Sequence, residues 1–128
     1  MQKTKIKFEK FTKALAALEA IYLHPITEDR VNIDATIQRF EFTFELCWKF
    51  LKDYLQEQGL NLNYPKEVIK EAFASGIISN EDVWLNMLSD RNLTSHSYDQ
   101  TLADQIYLRI KDYVPELKQL LVAVSQNI

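Results

Sequence analysis

The chain has 128 residues, of which 47% are apolar and 26% charged. That is the balance of one globular domain with one core, spanning 1–128. Eighteen acidic residues against fifteen basic ones leave a net charge of −3 and a pI near 5.4, which argues against a general nucleic-acid binder, since such domains are normally basic. The one cysteine, Cys47, excludes an internal disulfide and a cysteine-based zinc site, and it suits a reducing cytoplasm. No apolar run approaches a membrane span, and no apolar segment follows the basic start at residues 1–7, so neither a signal peptide nor a membrane partner is expected.

Two glycines and three prolines leave few breakers, which predicts long helices. The first is expected from about Thr4 to Leu23, with Phe8, Phe11, Leu15, Leu18 and Tyr22 on one face at helical spacing. Pro25 ends it, because the residue before a proline resists the helical region. Pro25 to Asn32 reads as a polar connection. The second helix is expected from Ile33 to Gln58, stopping at Gly59. Ile33, Ile37, Phe40, Phe44, Cys47, Trp48, Leu51 and Leu55 form its core face. Gln38, Glu41, Glu45, Lys49, Lys52 and Gln56 form a polar stripe. Phe42, Leu46 and Phe50 form a second apolar stripe roughly opposite the core, which places this helix either in the middle of the bundle or between subunits.

Pro65 suits the first turn of a third helix that reaches about Ser75 and ends at Gly76. Ser79, with Asp82 three residues on, reads as the cap of a fourth. In that helix Arg91 shares a side with Trp84, Met87 and Leu88. An unpaired charge there would cost several kcal/mol, on the order given for buried ions. Arg91 therefore needs a carboxylate partner, a cleft or a subunit boundary. The last helix is expected from Thr101 to Ser125, kinked or split by Pro115. The fold class is all-α, an up-and-down bundle of about five helices.

The chemistry concentrates in Arg91-Asn92-Leu93-Thr94-Ser95-His96-Ser97-Tyr98. Histidine titrates near neutral pH and serves as a general acid or base, while arginine binds phosphate through a planar fork. Such a pair suits phosphodiester chemistry without a metal or other cofactor. A salt bridge and a helix cap are the plainer reading of the same residues. Five positions on a regular helix turn about 140° and rise about 7.5 Å. Arg91 and His96 would then flank one groove, or two copies of the motif would converge in a symmetric dimer. Tyr98 points away from His96 if the chain is still helical there, and with it if the chain has straightened. His24 and His96 lie too far apart in sequence to suggest a metal site. Cys47 reads as a buried apolar residue, not a nucleophile. Tyr22, Tyr54, Tyr107 and Tyr113 read as packing residues with partly wet hydroxyls.

Several segments together carry a resemblance. They are Gln38-Arg39-Phe40-Glu41-Phe42-Thr43-Phe44-Glu45-Leu46-Cys47-Trp48-Lys49, Pro65-Lys66-Glu67-Val68-Ile69 with Glu71-Ala72-Phe73, Trp84-Leu85-Asn86-Met87-Leu88, and Asp90-Arg91-Asn92 followed by His96-Ser97-Tyr98-Asp99. From about Phe8 to Leu120 the chain resembles the nucleotidyltransferase substrate-binding proteins of the HEPN superfamily, whose HepT-like members are toxins of two-gene toxin–antitoxin systems. The resemblance implies a five-helix bundle that dimerises symmetrically. It implies metal-independent RNA cleavage by Arg91 and His96, with Asp90 and Asn92 in support. It also implies a small nucleotidyltransferase partner, the antitoxin, that silences the toxin by adding AMP to Tyr98. RNA and a nucleotide are the implied ligands. The alternative within the same resemblance is a non-catalytic substrate-binding subunit of the transferase, and a further one is a helical dimerisation module without activity.

Overall fold

The computed structural model describes residues 2–26 and 30–128. Its elements are α1 (Gln2–Tyr22), α2 (Val31–Gln56), α3 (Pro65–Ala74), α4 (Glu81–Leu93), a short 3-10 turn (Thr94–His96) and α5 (Gln100–Ser125). The described residues hold five helices and no strand, as the periodicity predicts. The expected connection from Pro25 to Asn32 lies partly outside the described residues, at 27–29. Arg30, at its end, has a left-handed backbone with φ 63°, held by side-chain bonds to Asp104 and to the Gln100 carbonyl on α5.

α2 is the spine and packs against all four other helices. It runs antiparallel to α1. Phe50 meets Phe8 at 5.3 Å and Phe11 at 6.3 Å between ring centroids, and Arg39 donates to the Ala17 carbonyl at 2.9 Å. α5 lies parallel to α2, with Phe40 stacked on Tyr113 at 5.5 Å and Asn127, just beyond α5, donating to the Tyr54 hydroxyl at 3.1 Å. One continuous core results. Phe11, Leu18, Phe40, Phe44, Leu51, Trp84, Ile106 and Ile110 are among its fully buried side chains. Asp53 is buried beside that core and is met by Lys7 Nζ at 2.7 Å.

The helix ends follow local chemistry. Gly59 at φ 89° closes α2, with the Leu60 amide donating back to the Leu55 carbonyl at 3.2 Å. Gly76 at φ 77° closes α3 in the same way through Ile77 and Ala72. Both positions need the backbone freedom that only glycine has. Pro65 opens α3, where Glu67 Oε1 accepts from the Asn63 and Tyr64 amides at 3.1 Å each. Asp99 caps α5, accepting from the Thr101 and Leu102 amides at 3.0 and 3.2 Å.

Two expectations are corrected and one left open is resolved in part. Asn80, not Ser79, caps α4, because its side chain reaches the Val83 amide at 3.3 Å. Pro115 does not split α5, which continues as one helix. Pro115 and Lys111, whose carbonyl loses its donor, both sit on the exposed side, while Tyr113, Val114 and Leu117 anchor the buried one. Water can take the freed carbonyl there. The second apolar stripe of α2 is also divided. Phe50 is fully buried under α1, whereas Phe42 is 53% exposed and Leu46 is half-buried. The stripe rotates under a neighbour along its length, so only its N-terminal part faces solvent.

Candidate functional site

The last turn of α4, the 3-10 turn and the cap of α5 carry all of the sequence-predicted site residues. α4 ends at Leu93, and the tighter turn that follows holds Thr94, Ser95 and His96. The helical 140° offset between Arg91 and His96 therefore does not apply. Past that turn Tyr98 lies beside His96. Its hydroxyl is 3.4 Å from Nδ1, and the two rings meet nearly edge to face with centroids 5.9 Å apart. The two side chains point the same way although the chain has not straightened: Ser97 keeps helical angles and the Asp99 amide donates to the His96 carbonyl at 3.0 Å. His96 is exposed, and Tyr98 is the most exposed large apolar or aromatic side chain among the described residues at 81%.

Arg91 is about one-third exposed and forms an ion pair with Glu45 on α2. Its other terminal nitrogen, Nη1, donates to Asn92 Oδ1 at 3.1 Å. The partner that the sequence requires for Arg91 is thus a carboxylate. Glu45 is itself held, accepting from the Trp48 indole N–H at 3.0 Å. Trp48, placed on the core face by its spacing, is half-buried so that this N–H reaches Glu45. One turn earlier on α2, Glu41 receives the Thr94 hydroxyl at 2.9 Å. That hydroxyl also lies 2.7 Å from the Arg91 carbonyl. Beside these residues Asp34, Ile37, Gln38, Glu41, Thr94 and Ser97 line a cleft of about 320 Å³.

Asp90 stands apart from that group. It is 4% exposed and faces α5. Arg109 donates to it through two nitrogens at 2.7 Å each, and the Tyr113 hydroxyl donates to the same carboxylate. Burial pushes the Tyr113 hydroxyl well above its ordinary pKa, and the Asp90 hydrogen bond and charge push it the same way. The hydrogen bond to Asp90 likewise raises the Arg109 guanidinium. Tyr113 is therefore not a partly wet packing residue but one arm of a buried clamp. Cys47 is fully buried, and burial alone raises its thiol well above the usual range. Among the described residues no group of three or more His, Cys, Asp or Glu side chains could hold a metal ion. No helix among them is long and apolar enough to cross a membrane.

The contacts made by Glu41, Glu45, Arg109 and Tyr113 escaped the sequence reading. The need for a carboxylate opposite Arg91 was visible. Which of several acidic side chains on α2 met it depended on how α4 crosses α2, and spacing does not give that angle.

The molecule is thus a small all-helical bundle that presents an arginine, a histidine and a tyrosine around one interhelical turn. It belongs to the family described as nucleotidyltransferase substrate binding protein like, whose model matches residues 6–126. A relative named probable ribonuclease HepT, from Haemophilus influenzae, is 36% identical over 100 residues, covering 74% of this chain and 68% of the relative. A crystal structure of a Thermus thermophilus protein superposes with a TM-score of 0.81 at 40% identity, over 87% of this chain and 95% of that one. A Haemophilus influenzae structure, described as showing the fold of a substrate binding domain of a nucleotidyltransferase, superposes with a TM-score of 0.71 at 27% identity, over 97% and 98%.

Proposed function

We propose that this protein is a metal-independent ribonuclease toxin of the HEPN type, held in check by a partner nucleotidyltransferase that adenylylates Tyr98. The observation that carries the reading is the exposed His96–Tyr98 pair at 3.4 Å, on the turn that follows the helix end where Glu45 holds Arg91. The ribonuclease name of a 36%-identical relative supports it. In the proposed reaction a ribose 2′-oxygen attacks the adjacent phosphorus and the bond to the 5′-oxygen breaks. His96 takes the 2′-OH proton or supplies one to the departing 5′-oxygen, and Arg91 balances the extra charge on the phosphorane. The products are a 2′,3′-cyclic phosphate and a 5′-hydroxyl.

Silencing follows from the same geometry. The Tyr98 oxygen attacks the α-phosphorus of ATP, pyrophosphate leaves and the phenolic proton goes to solvent. A phosphodiester and a bulky base then stand over His96, where they oppose an RNA phosphate by charge and by volume. Two copies of the chain are proposed to pair through the exposed Phe42 and the half-buried Leu46 of α2.

The test is RNA cleavage by purified, unmodified protein in EDTA. Cleavage should persist there, and Arg91→Lys should lose most of it, because lysine keeps the charge and lacks the fork. Incubation with ATP, magnesium and the partner should add one adenylate to Tyr98, read by mass spectrometry, and abolish cutting. Absence of cutting by the wild type under all conditions would overturn the ribonuclease reading. The second reading, a substrate-binding subunit of the transferase, is favoured by the family description and by the net charge of −3. Nucleotide-dependent binding to the partner without any RNA cleavage is the outcome that selects it.

A further inference from the structure

The polar stripe of α2 meets the candidate site in an ordered way. Glu41 and Glu45 are one helical turn apart, so their carboxylates lie on one face about 6 Å from each other along the axis. They meet two residues that are three apart on the antiparallel α4 and its following turn. Glu45 takes Arg91, and Glu41 takes the hydroxyl of Thr94, the first residue of the turn that carries His96. Glu45 Oε1 is fixed by the Trp48 indole at 3.0 Å, and the Thr94 hydroxyl proton is shared between Glu41 at 2.9 Å and the Arg91 carbonyl at 2.7 Å. All four contacting side chains are half-buried or buried, so the bonds are less screened than surface pairs.

A carboxylate beside a phosphate-binding arginine has an electrostatic cost, because it offsets part of the charge that RNA would meet; Lys49 Nζ, 3.9 Å from Glu45 Oε1, shares that carboxylate. A carboxylate held in so constrained a form makes sense if orientation matters more than raw charge. Glu45 bonds one terminal nitrogen of Arg91 and Asn92 the other. The guanidinium plane is thereby fixed while N–H groups remain for a phosphate, since an arginine has five.

The geometry points to Glu45 and Glu41 as positioning residues of the candidate active site. Glu45, itself held by Trp48, sets the plane of Arg91, and Glu41, through Thr94, sets the turn that carries His96. The inference rests on the ribonuclease reading for its kinetic consequences and stands alone in its structural ones.

The test uses the full chain and RNA. Glu45→Ala should lower kcat by about 10²-fold, the cost of a small misplacement of a catalytic group, with a much smaller change in KM. Glu45→Gln can still accept from both Trp48 and Arg91, so it should recover most of that loss. It should also lower KM, because the offsetting charge is gone. A purely structural role would move stability and leave this kcat-against-KM split absent. Glu41→Ala should lower kcat without touching the Arg91 signal described next. The independent readout is the side-chain Nε–H signal of Arg91 by NMR, expected as a resolved, slowly moving resonance in wild type and averaged in Glu45→Ala. An unaltered Arg91 signal in Glu45→Ala overturns the inference whether or not RNA is cut. So does an unchanged kcat in Glu45→Ala with an active wild type. A protein that cuts no RNA yet shows the expected signal change overturns the ribonuclease reading and leaves the positioning in place.

Discussion

Asp90 and Arg91 are neighbours in the chain with opposite surroundings. Asp90 is 4% exposed and takes three hydrogen bonds from α5. Arg91 is about one-third exposed and meets a carboxylate on α2. Successive residues on a helix are turned by about 100°, so one step is enough to change which helix a side chain addresses. The first contact ties α4 to α5 and belongs to the fold. The second ties α4 to α2 within the candidate site. A single substitution in each should separate stability from activity.

His96→Ala sharpens the contrast most. It should lower RNA cleavage by about 10² to 10⁴-fold, the range for loss of a general acid or base. Stability should change by no more than about 0.5 kcal/mol, because an exposed side chain contributes little packing. Cleavage kinetics and thermal melting of the same preparation decide it, and equal cleavage by the mutant breaks the assignment. Asp90→Ala should do the reverse. It strands Tyr113 and Arg109, and removing one partner of a buried pair costs about 3 to 5 kcal/mol. The lower end applies because Arg109 is 42% exposed. The midpoint should fall by roughly 10 °C for a domain of this size, measured by far-UV circular dichroism.

Tyr113→Phe is the smaller test of the same clamp. Loss of a hydrogen bond to a charged group should cost about 1.5 to 3 kcal/mol at neutral pH. Its pH dependence is more specific. The folded protein holds the Tyr113 proton above the ordinary tyrosine range, chiefly because of burial. An unfolded tyrosine gives its proton up near pH 10. Above about pH 10 the unfolded state therefore binds fewer protons than the folded one, and stability falls as pH rises. Tyr22 is raised as well, by burial first, and contributes in the same direction. Denaturant titrations between pH 8 and 11 should show a loss in wild type that is shallower, though not absent, in Tyr113→Phe. An equal slope in the two proteins would mean that the clamp does not hold that proton.

Much of the fold was legible because helix periodicity and helix punctuation are local. Gly59, Gly76, Pro65 and the apolar faces of α1, α2 and α5 each act within a few residues, and each leaves its own pattern. Misplaced features had causes outside the local window. Phe50 lies opposite the core face on a helical wheel and needs a cover that spacing does not name; Phe8 and Phe11, some forty residues earlier, supply it. Pro115 is a breaker by itself, and α5 survives because buried neighbours on both sides hold it. At the candidate site, the spacing singled out three candidate residues and left two orientations for Tyr98. The tight turns from Thr94 to Asp99, which neither continue the α-helix nor straighten, bring Tyr98 against His96. The first of them is stabilised by a glutamate from another helix, and no stretch of eight residues contains that information.

Cys47 gives this bundle a built-in reporter. It is the only thiol in the chain and lies with no exposed area on the spine helix, among residues from the core. A thiol reagent in water can reach it only when α2 parts from its neighbours. Under conditions where closing outpaces labelling, the rate of its modification measures the free energy of that opening. The same molecule can then be followed through an RNA-cleavage assay and a labelling assay, so that a weakened bundle is told apart from a weakened site without adding a probe.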